Sequence, residues 1–485
     1  MRNVFILAAA ALGGLASATP STRYTIIGLG DLPGGATYSE GLGLNDSGQV
    51  VGRSHSAFGN SAFIWDPING MQDLGDFPGG LSSSYATGIN IHGHVAGYGS
   101  SLSNRGFLWT PEEGMQNLGD LPGGWDISYA YAINDLGTVV GYSYGATDYQ
   151  GFIWSNGTMS PLPGLRSPTS FSHAYAVNNL NQVTGIASGL TGQVAFRWDS
   201  EHGMIDLGDL PGGNVNSRGN GINDQGQIVG WGSPALGRRA VLWTESNAIV
   251  PLGDLPNGTG SNEANDINNW GVVVGKATIL SGTRGFIWTP EDGMVDLNTL
   301  LVPGQGFTIT SATAINDNGQ ITGIATKNGV NQAFLATPLR DITGTVVFGD
   351  FDGQVEGQPI QYWIQSGDYI VAGTVLLDAQ GKAAIPAADI EDGWYTLILK
   401  GSHWLTKSNA IRLSGGAAQF AATLVNGDCD GDNEIGISDY ALISFTWGLS
   451  EGDPGWEANV DLNGDSAIDI GDYAILSANF GQVGE

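Results

Sequence analysis

Ser84-Tyr-Ala-Thr-Gly-Ile-Asn90, His94-Val-Ala-Gly-Tyr98 and Gly106-Phe-Leu-Trp109 are three short apolar runs that recur, with changes, along most of the chain. Each copy contains an Ile, Leu or Val followed by Asn. A fixed spacing of this size predicts a repeat architecture. The marker asparagines are 44 to 48 residues apart: Asn45, Asn90, Asn134, Asn178, Asn223, Asn268 and Asn316.

Each copy predicts four β-strands, because a further apolar run, Met71-Gln-Asp-Leu74 in this copy, precedes the three quoted above. Its apolar runs are too short for helices and are separated by Gly, Pro, Asn and Asp. The step Asn45-Asp46-Ser47-Gly48 is typical of a tight hairpin, because Asn or Asp opens the turn and Gly accepts a positive φ. Four strands in about 45 residues are typical of a β-propeller blade. We therefore predict a seven-bladed β-propeller over residues 19–338, with an open β-solenoid as the alternative.

The phase of the repeats favours a closed ring. A strand-like run, Tyr24–Gly30, precedes the first copy, whereas the last copy ends at Ala333-Phe334-Leu335-Ala336 with no such run after it. The N-terminal strand is therefore expected to complete the last blade, which would remove exposed sheet edges.

Two repeated strings resemble a known family. They are Asn-Asp-x-Gly-x-Val-Val-Gly and the runs Ala62-Phe63-Ile64-Trp65, Gly106-Phe107-Leu108-Trp109 and Gly285-Phe286-Ile287-Trp288. Through them, residues 24–338 resemble the HAF-type extracellular repeat family. The resemblance implies a repeat scaffold but no particular activity. No copy has the His of the His-Ala-Phe step that names the family, so no role is transferred to it.

Composition restricts location and partners. The chain of 485 residues has 17 Lys and Arg against 47 Asp and Glu, a net charge of −30. This charge argues against nucleic acid and anionic membranes as partners. Arg2, the apolar run Val4–Leu15 and Ala16-Ser17-Ala18 are typical of a secretory signal peptide over residues 1–18. We expect a secreted or cell-surface protein without membrane insertion, since no apolar run is long enough to span a bilayer.

After residue 338 the period stops. Alternating runs such as Ile342–Phe348 and Gly393–Lys400 predict strands at the spacing of a β-sandwich. Residues 339–424 resemble an immunoglobulin-like or carboxypeptidase-regulatory-like β-sandwich, and such modules commonly act as spacers.

Residues 425–485 contain two 12-residue acidic loops that begin 33 residues apart. Each has side-chain oxygens at positions 1, 3, 5 and 12 and, in the loop conformation, a backbone carbonyl at position 7. Calcium prefers this set of hard oxygen ligands. We predict two Ca²⁺ ions, a short α-helix after each loop, and the ligands Asp428, Asp430, Asp432, Glu434 and Asp439 in the first loop and Asp461, Asn463, Asp465, Ala467 and Asp472 in the second.

The two loop–helix halves, residues 426–481, resemble a type I dockerin. Gly431 and Gly464 at position 4 and Asp at position 12 carry the resemblance, which implies a cohesin-like protein partner. Position 6, usually Gly, is Asn433 and Ser466, and Cys429 at position 2 is expected to face outward. The resemblance assigns partner contacts to positions 10 and 11, here without the common Ser-Thr pair: Ile437, Ser438, Ile470 and Gly471.

The longer loops of the repeats differ from copy to copy and are expected on one face of the propeller. Variable loops on a rigid scaffold are where binding residues concentrate. Their aromatic rings could stack on the sugar rings of a glycan. The candidates for ligand binding are Trp125, Tyr142, Tyr144, Tyr149, Trp231, Arg238 and the adjacent Arg239.

No catalytic residue is nominated. The sequence has no Ser nucleophile motif, phosphate-binding loop or pair of carboxylates that can be placed together. It favours a non-enzymatic, secreted or surface binding protein, displayed through a calcium-dependent docking module. The alternatives are a glycoside hydrolase or cellulosome-type component of polysaccharide breakdown, or a tail in which calcium has only a structural role.

Overall fold

The computed structural model describes residues 23–485, except 79–82, 101–102, 236, 340, 368, 388–389, 391–392 and 414–416. The predicted signal peptide lies outside the described residues. The chain is mainly β and divides into two compact units, Arg23–Pro338 and Leu339–Glu485. Within the described part, no helix has the length and apolar character needed to cross a membrane.

Among its described residues, the first unit contains seven four-stranded antiparallel sheets, six of them formed by strands consecutive in sequence and the seventh completed by the N-terminal strand. The first sheet comprises Gly34–Leu44, Val50–Ser56, Gly59–Asp66 and Gly70–Asp73. The second comprises Ser84–Ile89, Val95–Ser100, Asn104–Thr110 and Gly114–Asn117. The third comprises Ser128–Ile133, Val139–Tyr144, Tyr149–Ser155 and Thr158–Pro161. The fourth comprises Ser172–Val177, Val183–Ser188, Gln193–Asp199 and Gly203–Asp206. The fifth comprises Arg218–Ile222, Ile228–Gly232, Arg239–Trp243 and Ile249–Pro251. The sixth comprises Gly258–Ile267, Val273–Ile279, Gly282–Thr289 and Gly293–Asp296, and the 3₁₀-helix Leu297–Thr299 follows it. The seventh comprises Phe307–Ile315, Ile321–Lys327, Val330–Pro338 and the N-terminal strand Tyr24–Gly28. We number the strands of each sheet first to fourth in these orders.

A glycine in the second strand is required by the close approach of two backbones. The first strand bulges between Ala130 and Ala132, opposite Gly141. A Cβ atom on Gly141 would lie 1.9 Å from the carbonyl oxygen of Tyr129. All seven sheets have this contact, at 1.9 to 2.2 Å, so the last residue of the Val-Val-Gly string maintains the bulge. The seven residues are Gly52, Gly97, Gly141, Gly185, Gly230, Gly275 and Gly323.

The third strand places one large apolar side chain between neighbouring sheets. In six sheets it is a phenylalanine with no solvent exposure, and in the fifth Val241 takes its place beside the buried Trp243. Burial of each such side chain contributes about 1.5–3 kcal/mol to folding. The six are Phe63, Phe107, Phe152, Phe196, Phe286 and Phe334.

The marker asparagines join the sheets to one another. Asn178 is 4% exposed, and its Oδ1 accepts hydrogen bonds from the backbone N–H groups of Leu180 and Gln182 in its own hairpin. Its Nδ2 donates to the carbonyl oxygen of Asn223 in the next sheet at 2.9 Å. The same amide-to-carbonyl bond links each marker asparagine to the next, and Asn316 donates to Asn45 at 2.9 Å. Hydrogen bonds therefore connect the seventh sheet to the first, and the arrangement is propeller-like.

A second set of contacts links the same sheets farther along their strands. Ser39, in the first strand of the first sheet, accepts the N–H of Ala333 in the seventh at 2.9 Å. Ser84 accepts the N–H of Ala62 in the same way, and this Ser recurs in other sheets. A cavity of about 200 Å³ lies among the marker asparagines and the residues that follow them. The residue that follows each marker asparagine also links two sheets. Asp135, for example, accepts the backbone N–H of Ile91 in the preceding sheet, and most of the equivalent residues accept the equivalent N–H.

In the second unit, two sheets share one hydrophobic core. One sheet contains Lys382–Pro386, Asp341–Phe348 and Ala418–Leu424, and the other Tyr369–Leu376, Pro359–Ser366, Gly393–Lys400 and Lys407–Leu413. The remaining residues form two α-helices, Ile437–Thr446 and Ile470–Asn479, with a small core of their own. Each helix begins two residues earlier than the acidic residue that ends its loop.

We predict that Asn178→Ala lowers the free energy of unfolding by about 2–4 kcal/mol, because it removes a buried inter-sheet hydrogen bond and the acceptor of two backbone N–H groups in its hairpin. Urea unfolding followed by tryptophan fluorescence would measure the change. Asn214→Ala, at an exposed loop position, is the matched control and should be within about 0.5 kcal/mol of wild type. Equal stability of the two variants would contradict the role assigned to the asparagine.

Candidate functional site

One cross-strand pair in each repeat sheet carries most of the chemistry of the first unit. It joins a first-strand residue to the second-strand residue that follows the bulge glycine. The seven pairs are Glu40–Arg53, Tyr85–Tyr98, Tyr129–Tyr142, His173–Ile186, Arg218–Trp231, Glu263–Lys276 and Ser311–Ile324. These positions differ in nearly every copy, although the glycine beside them is constant. They lie five residues from the marker asparagines, about 16 Å along a strand.

The pairs of the second to fifth sheets join into a continuous series of rings, which we call the aromatic tract. The ring centroids of Tyr98 and Tyr129 are 5.0 Å apart, and those of Tyr142 and His173 are 3.6 Å apart and nearly parallel. Tyr131 bridges Tyr98, Tyr142 and Tyr175 at 6.0, 5.6 and 5.2 Å. Contacts therefore cross from sheet to sheet without interruption.

Charged residues lie at both ends of the tract. At one end Arg53 pairs with Glu40 and stacks 5.0 Å from the ring centroid of Tyr85. At the other end Arg218 lies 4.9 Å from the ring centroid of Tyr175. Next to it, Glu263 accepts hydrogen bonds from Arg238 at 2.8 Å and forms an ion pair with Lys276 at 2.9 Å.

The residues predicted to bind a ligand fall into two groups at this tract. Trp125, Tyr144, Tyr149 and Tyr142 follow one another with ring centroids 5.0 to 5.6 Å apart, and Trp125 is 73% exposed. In the second group the guanidinium of Arg238 lies 4.1 Å from the ring centroid of Trp231. The neighbouring Arg239 points to Asp254, 3.8 Å away.

Their predicted location in variable loops was wrong for five of them. Tyr142, Tyr144 and Trp231 lie in second strands, Tyr149 and Arg239 begin third strands, and Trp231 is only 4% exposed. The second strand continues past the bulge glycine, so residues that the sequence pattern places at the start of a loop are still paired with the neighbouring strand. Sequence reasoning also missed most of the tract. Of the missed residues only Tyr98 directly follows a bulge glycine, which is a position that the sequence marks, whereas the others lie in first strands: Tyr85, Tyr129, Tyr131, His173, Tyr175 and Arg218.

The two acidic loops of the tail have the same internal hydrogen bonds. Position 12, Asp439 or Asp472, accepts the backbone N–H groups of positions 2 and 3 with one oxygen and that of position 9 with the other. Both carboxylates are fully buried, and this burial raises the pKa of each above its ordinary value. Asn433 and Ser466 at position 6 have φ values of 73° and 70°, so both loops turn where glycine is usual.

The first loop has the features of a cation site. One oxygen from each of Asp428, Asp430 and Asp432 lies within 4.8 Å of the others. Oδ1 of the buried Asp428 has no hydrogen-bond partner among the described residues. Carboxylate oxygens are the ligands that Ca²⁺ prefers, and the residues present fit such an ion. The second loop presents the corresponding Asp461, Asn463 and Asp465, with one carboxylate fewer.

The environments of the loops differ. Nζ of Lys400, from the strand Gly393–Lys400, lies 2.6 Å from Oδ2 of Asp428. Oδ2 of Asp461, at the same position of the second loop, instead accepts the backbone N–H of Ser466 at 2.9 Å. The first loop is thus paired with a cation that belongs to the protein itself.

The positions that the resemblance assigned to a partner are accessible, and one other expectation was wrong. Ile437 and Ile470 are 79% and 67% exposed at equivalent places, each beginning its helix with Ser438 or Gly471 beside it. Cys429 was expected to face outward, but it is 3% exposed and packs in the tail core. Position 2 of the second loop, Leu462, is buried in the same core, because this position faces the other half of the module.

Comparison with known proteins assigns no activity. No family model matches the chain, and no curated protein matches it by sequence. A mutant type II cohesin–X-dockerin complex from Acetivibrio cellulolyticus is 21% identical over 30% of this chain and 96% of its own, with a TM-score of 0.25. A prolyl endopeptidase is 9% identical over 76% of this chain and 56% of its own, with a TM-score of 0.40. The dipeptidyl peptidase 4 of Porphyromonas gingivalis is 8% identical over 70% and 49%, with a TM-score of 0.30.

The stacked His173 predicts an acid-sensitive contribution to stability. Burial and the nearby charge of Arg218 lower its pKa from 6.5 to about 4. The unfolded chain therefore binds more protons between these values, so the contribution is present above pH 6.5 and is lost as the pH falls toward 4. We expect His173→Tyr, which restores the residue type of the second and third sheets, to lose less stability than wild type on acidification.

Urea midpoints at about pH 7 and pH 4.5 would test this. Tyr175→Phe is the matched control, because it keeps His173 and removes only the hydroxyl that lies 3.2 Å from Nδ1. It should retain the acid sensitivity of wild type. If His173→Tyr were equally acid-sensitive, the histidine would not be the titrating group.

Proposed function

We propose that the chain is a non-enzymatic, secreted or cell-surface glycan-binding protein. In this proposal the first unit is a seven-bladed β-propeller of the HAF type, the two-sheet region is an immunoglobulin-like spacer, and the tail is a dockerin-like module that two Ca²⁺ ions complete. The observation that carries the proposal is the aromatic tract. Sugar rings have apolar C–H faces that stack on aromatic side chains, and phenol hydroxyls hydrogen-bond to sugar hydroxyls.

Breakdown of polysaccharides is the less favoured function. A glycoside hydrolase needs one protonated carboxyl group as its acid and a second carboxylate. Glu40 and Glu263 are the acidic members of the seven pairs, and both are held in ion pairs with basic residues. Although burial raises the pKa of Glu263, Lys276 and Arg238 outweigh it and hold that pKa below its ordinary value. Glu263 is therefore a poor acid catalyst.

The display part of the proposal depends on the tail. Backbone amides orient each loop, and its ring of oxygens would supply ligands to calcium. Bound calcium would compensate the clustered negative charges and fix the angle of the following helix. Ile437 and Ile470 then form two equivalent exposed apolar contacts for a cohesin-like protein.

We expect the protein to bind at least one insoluble or soluble polysaccharide. Trp125→Ala should weaken this binding roughly tenfold, because it removes a stacking contact that contributes about 1–2 kcal/mol to binding. Trp125 is exposed, so the variant should fold normally. Trp270→Ala, which removes a 57% exposed tryptophan in the hairpin of the sixth sheet near the marker asparagines, is the matched control. Depletion assays on a polysaccharide panel would show the difference. Equal weakening by both variants, or none by Trp125→Ala, would count against the tract.

We also expect calcium-dependent binding to cohesin domains. Titration calorimetry of the full chain should find two Ca²⁺ sites, and binding to a panel of purified cohesin domains should disappear with a chelator. The double variant Ile437→Asp and Ile470→Asp should lose cohesin binding yet keep both calcium sites, because both isoleucines are exposed and neither is a predicted calcium ligand. Changing both is necessary, since either equivalent helix start could contact the partner alone.

The double variant Leu190→Asp and Leu280→Asp changes two leucines that are 83% and 84% exposed in the repeats, and should bind cohesin normally. If the chain binds two calcium ions but no cohesin domain, the tail has only a structural role. Absence of calcium binding would contradict the docking proposal altogether.

A further inference from the structure

The cation-rich end of the aromatic tract does not resemble the rest of this acidic chain. Arg238 and Lys276 form ion pairs with the carboxylate of Glu263, and the guanidinium groups of Arg218 and Arg238 lie near the ring of Trp231. These groups have an excess of two positive charges, in a protein whose net charge is −30. Such a local reversal of sign concentrates anions from solution at this place.

Arg218 contacts neutral groups rather than a carboxylate. Its Nε donates to Oδ1 of Asn220 at 2.6 Å, and its guanidinium lies 4.9 Å from Tyr175 and 5.9 Å from Trp231. No ion pair joins it to a carboxylate in the described part of the chain. The planar guanidinium can offer two parallel N–H donors to one carboxylate or sulfate group.

Trp231 supplies a second, independent indication of a missing acceptor. It is 4% exposed, and its Nε1 has no hydrogen-bond partner among the described residues. Buried indole N–H groups normally have an acceptor, as Trp243 has in the carbonyl oxygen of Leu207 at 3.0 Å. An acidic ligand beside Arg218 and Arg238 could bring an acceptor to this donor with a small shift of the Arg238 side chain, which is 48% exposed.

The cationic group opens directly into the stacked rings. Arg218 contacts Tyr175, which contacts Tyr131 at 5.2 Å, and Tyr131 contacts Tyr142 at 5.6 Å. A ligand that spans both parts needs an anionic group and a chain of ring-shaped units. A nucleic acid has these features as well, but it would bring one phosphate per nucleotide toward a strongly acidic protein.

We propose that this end of the tract binds an acidic polysaccharide, with a carboxylate or sulfate group on Arg218 and Arg238 and the neighbouring sugar rings along the tyrosines. This inference rests on the proposed glycan-binding function and specifies the class of glycan. Glu263 holds Arg238 and Lys276 in place, so the cations are oriented before the ligand arrives.

The test is titration calorimetry of the full chain with three soluble oligosaccharides of equal length: a polyuronate, a sulfated galactan and a neutral β-glucan. A calcium chelator in every titration excludes bridging of the polyuronate to the acidic tail by calcium. We expect an acidic oligosaccharide to bind at least about tenfold more tightly than the neutral one, and added salt to reduce the difference. The stronger of the two acidic ligands identifies whether carboxylate or sulfate is recognised.

Arg218→Gln and Arg238→Gln should each weaken acidic-ligand binding about tenfold, the effect of losing one charge-assisted contact. Arg218→Lys should recover part of the affinity, because it restores the charge without the bidentate geometry. Arg284→Gln, which changes an arginine paired with Asp296 at 3.8 Å, is the matched control and should bind like wild type.

Tighter binding of the neutral glucan, or arginine variants that bind like Arg284→Gln, would overturn the acidic-ligand inference and leave glycan binding in place. Failure of all three oligosaccharides to bind, together with no retention on the polysaccharide panel, would overturn both. Unequal loss in the two arginine variants would still support the site and would rank their contacts.

Discussion

The hydrogen bond from each marker asparagine to the next is the constraint on which the repeat unit depends. A buried amide side chain must satisfy both its oxygen and its nitrogen, and here the oxygen stabilises its own hairpin while the nitrogen reaches the neighbouring sheet. Asn134 therefore fixes a turn and an inter-sheet distance at once. Because Asn316 donates to Asn45, the spacing set by one pair must be compatible with all seven. The first strands are consequently held in register at one end.

This constraint separates two classes of position in the repeat. Residues that maintain the scaffold change little: the asparagine and the bulge glycine are the same in all seven sheets, and the buried third-strand phenylalanine is present in six of them. The cross-strand pair beside the bulge glycine lies at the other end of the strands and contacts the next sheet. Among the described residues, no specific side-chain hydrogen bond recurs at this pair, so its side chains can differ between copies. Tyr142 can therefore stack on His173 in one sheet while Arg53 contacts Tyr85 in another. Chemistry that differs between copies is thus brought together by contacts that do not differ.

Much of the fold could be predicted from sequence because it depends on local patterns. The period, the four strands of each copy and the Asn-Asp-x-Gly hairpins are visible within about 45 residues, and Tyr24–Gly28 does pair with Val330–Pro338. The turn at position 6 of each tail loop was also predictable from the 12-residue spacing. The aromatic tract was not, because alternation along a strand tells which residues share a face but not which rings meet across two sheets. Trp231 and Cys429 were misplaced for the same reason: their burial depends on neighbours that are distant in sequence.

Lys400 shows how far the environment of a motif can differ from the motif itself. The two tail loops share their spacing, their backbone turns and the hydrogen bonds of their last aspartate, so sequence alone treats them as equivalent. Yet the first has more carboxylates and an ammonium group at Asp428, whereas the second has fewer carboxylates, and no cation of the described residues is paired with Asp461. A divalent ion entering the first loop would have to share Asp428 with Lys400 or displace the lysine. Either change would alter the contacts of the strand that carries Lys400. The strand and the loop therefore form one electrostatic unit, in which the sheets beside the tail influence how strongly its first loop attracts a cation.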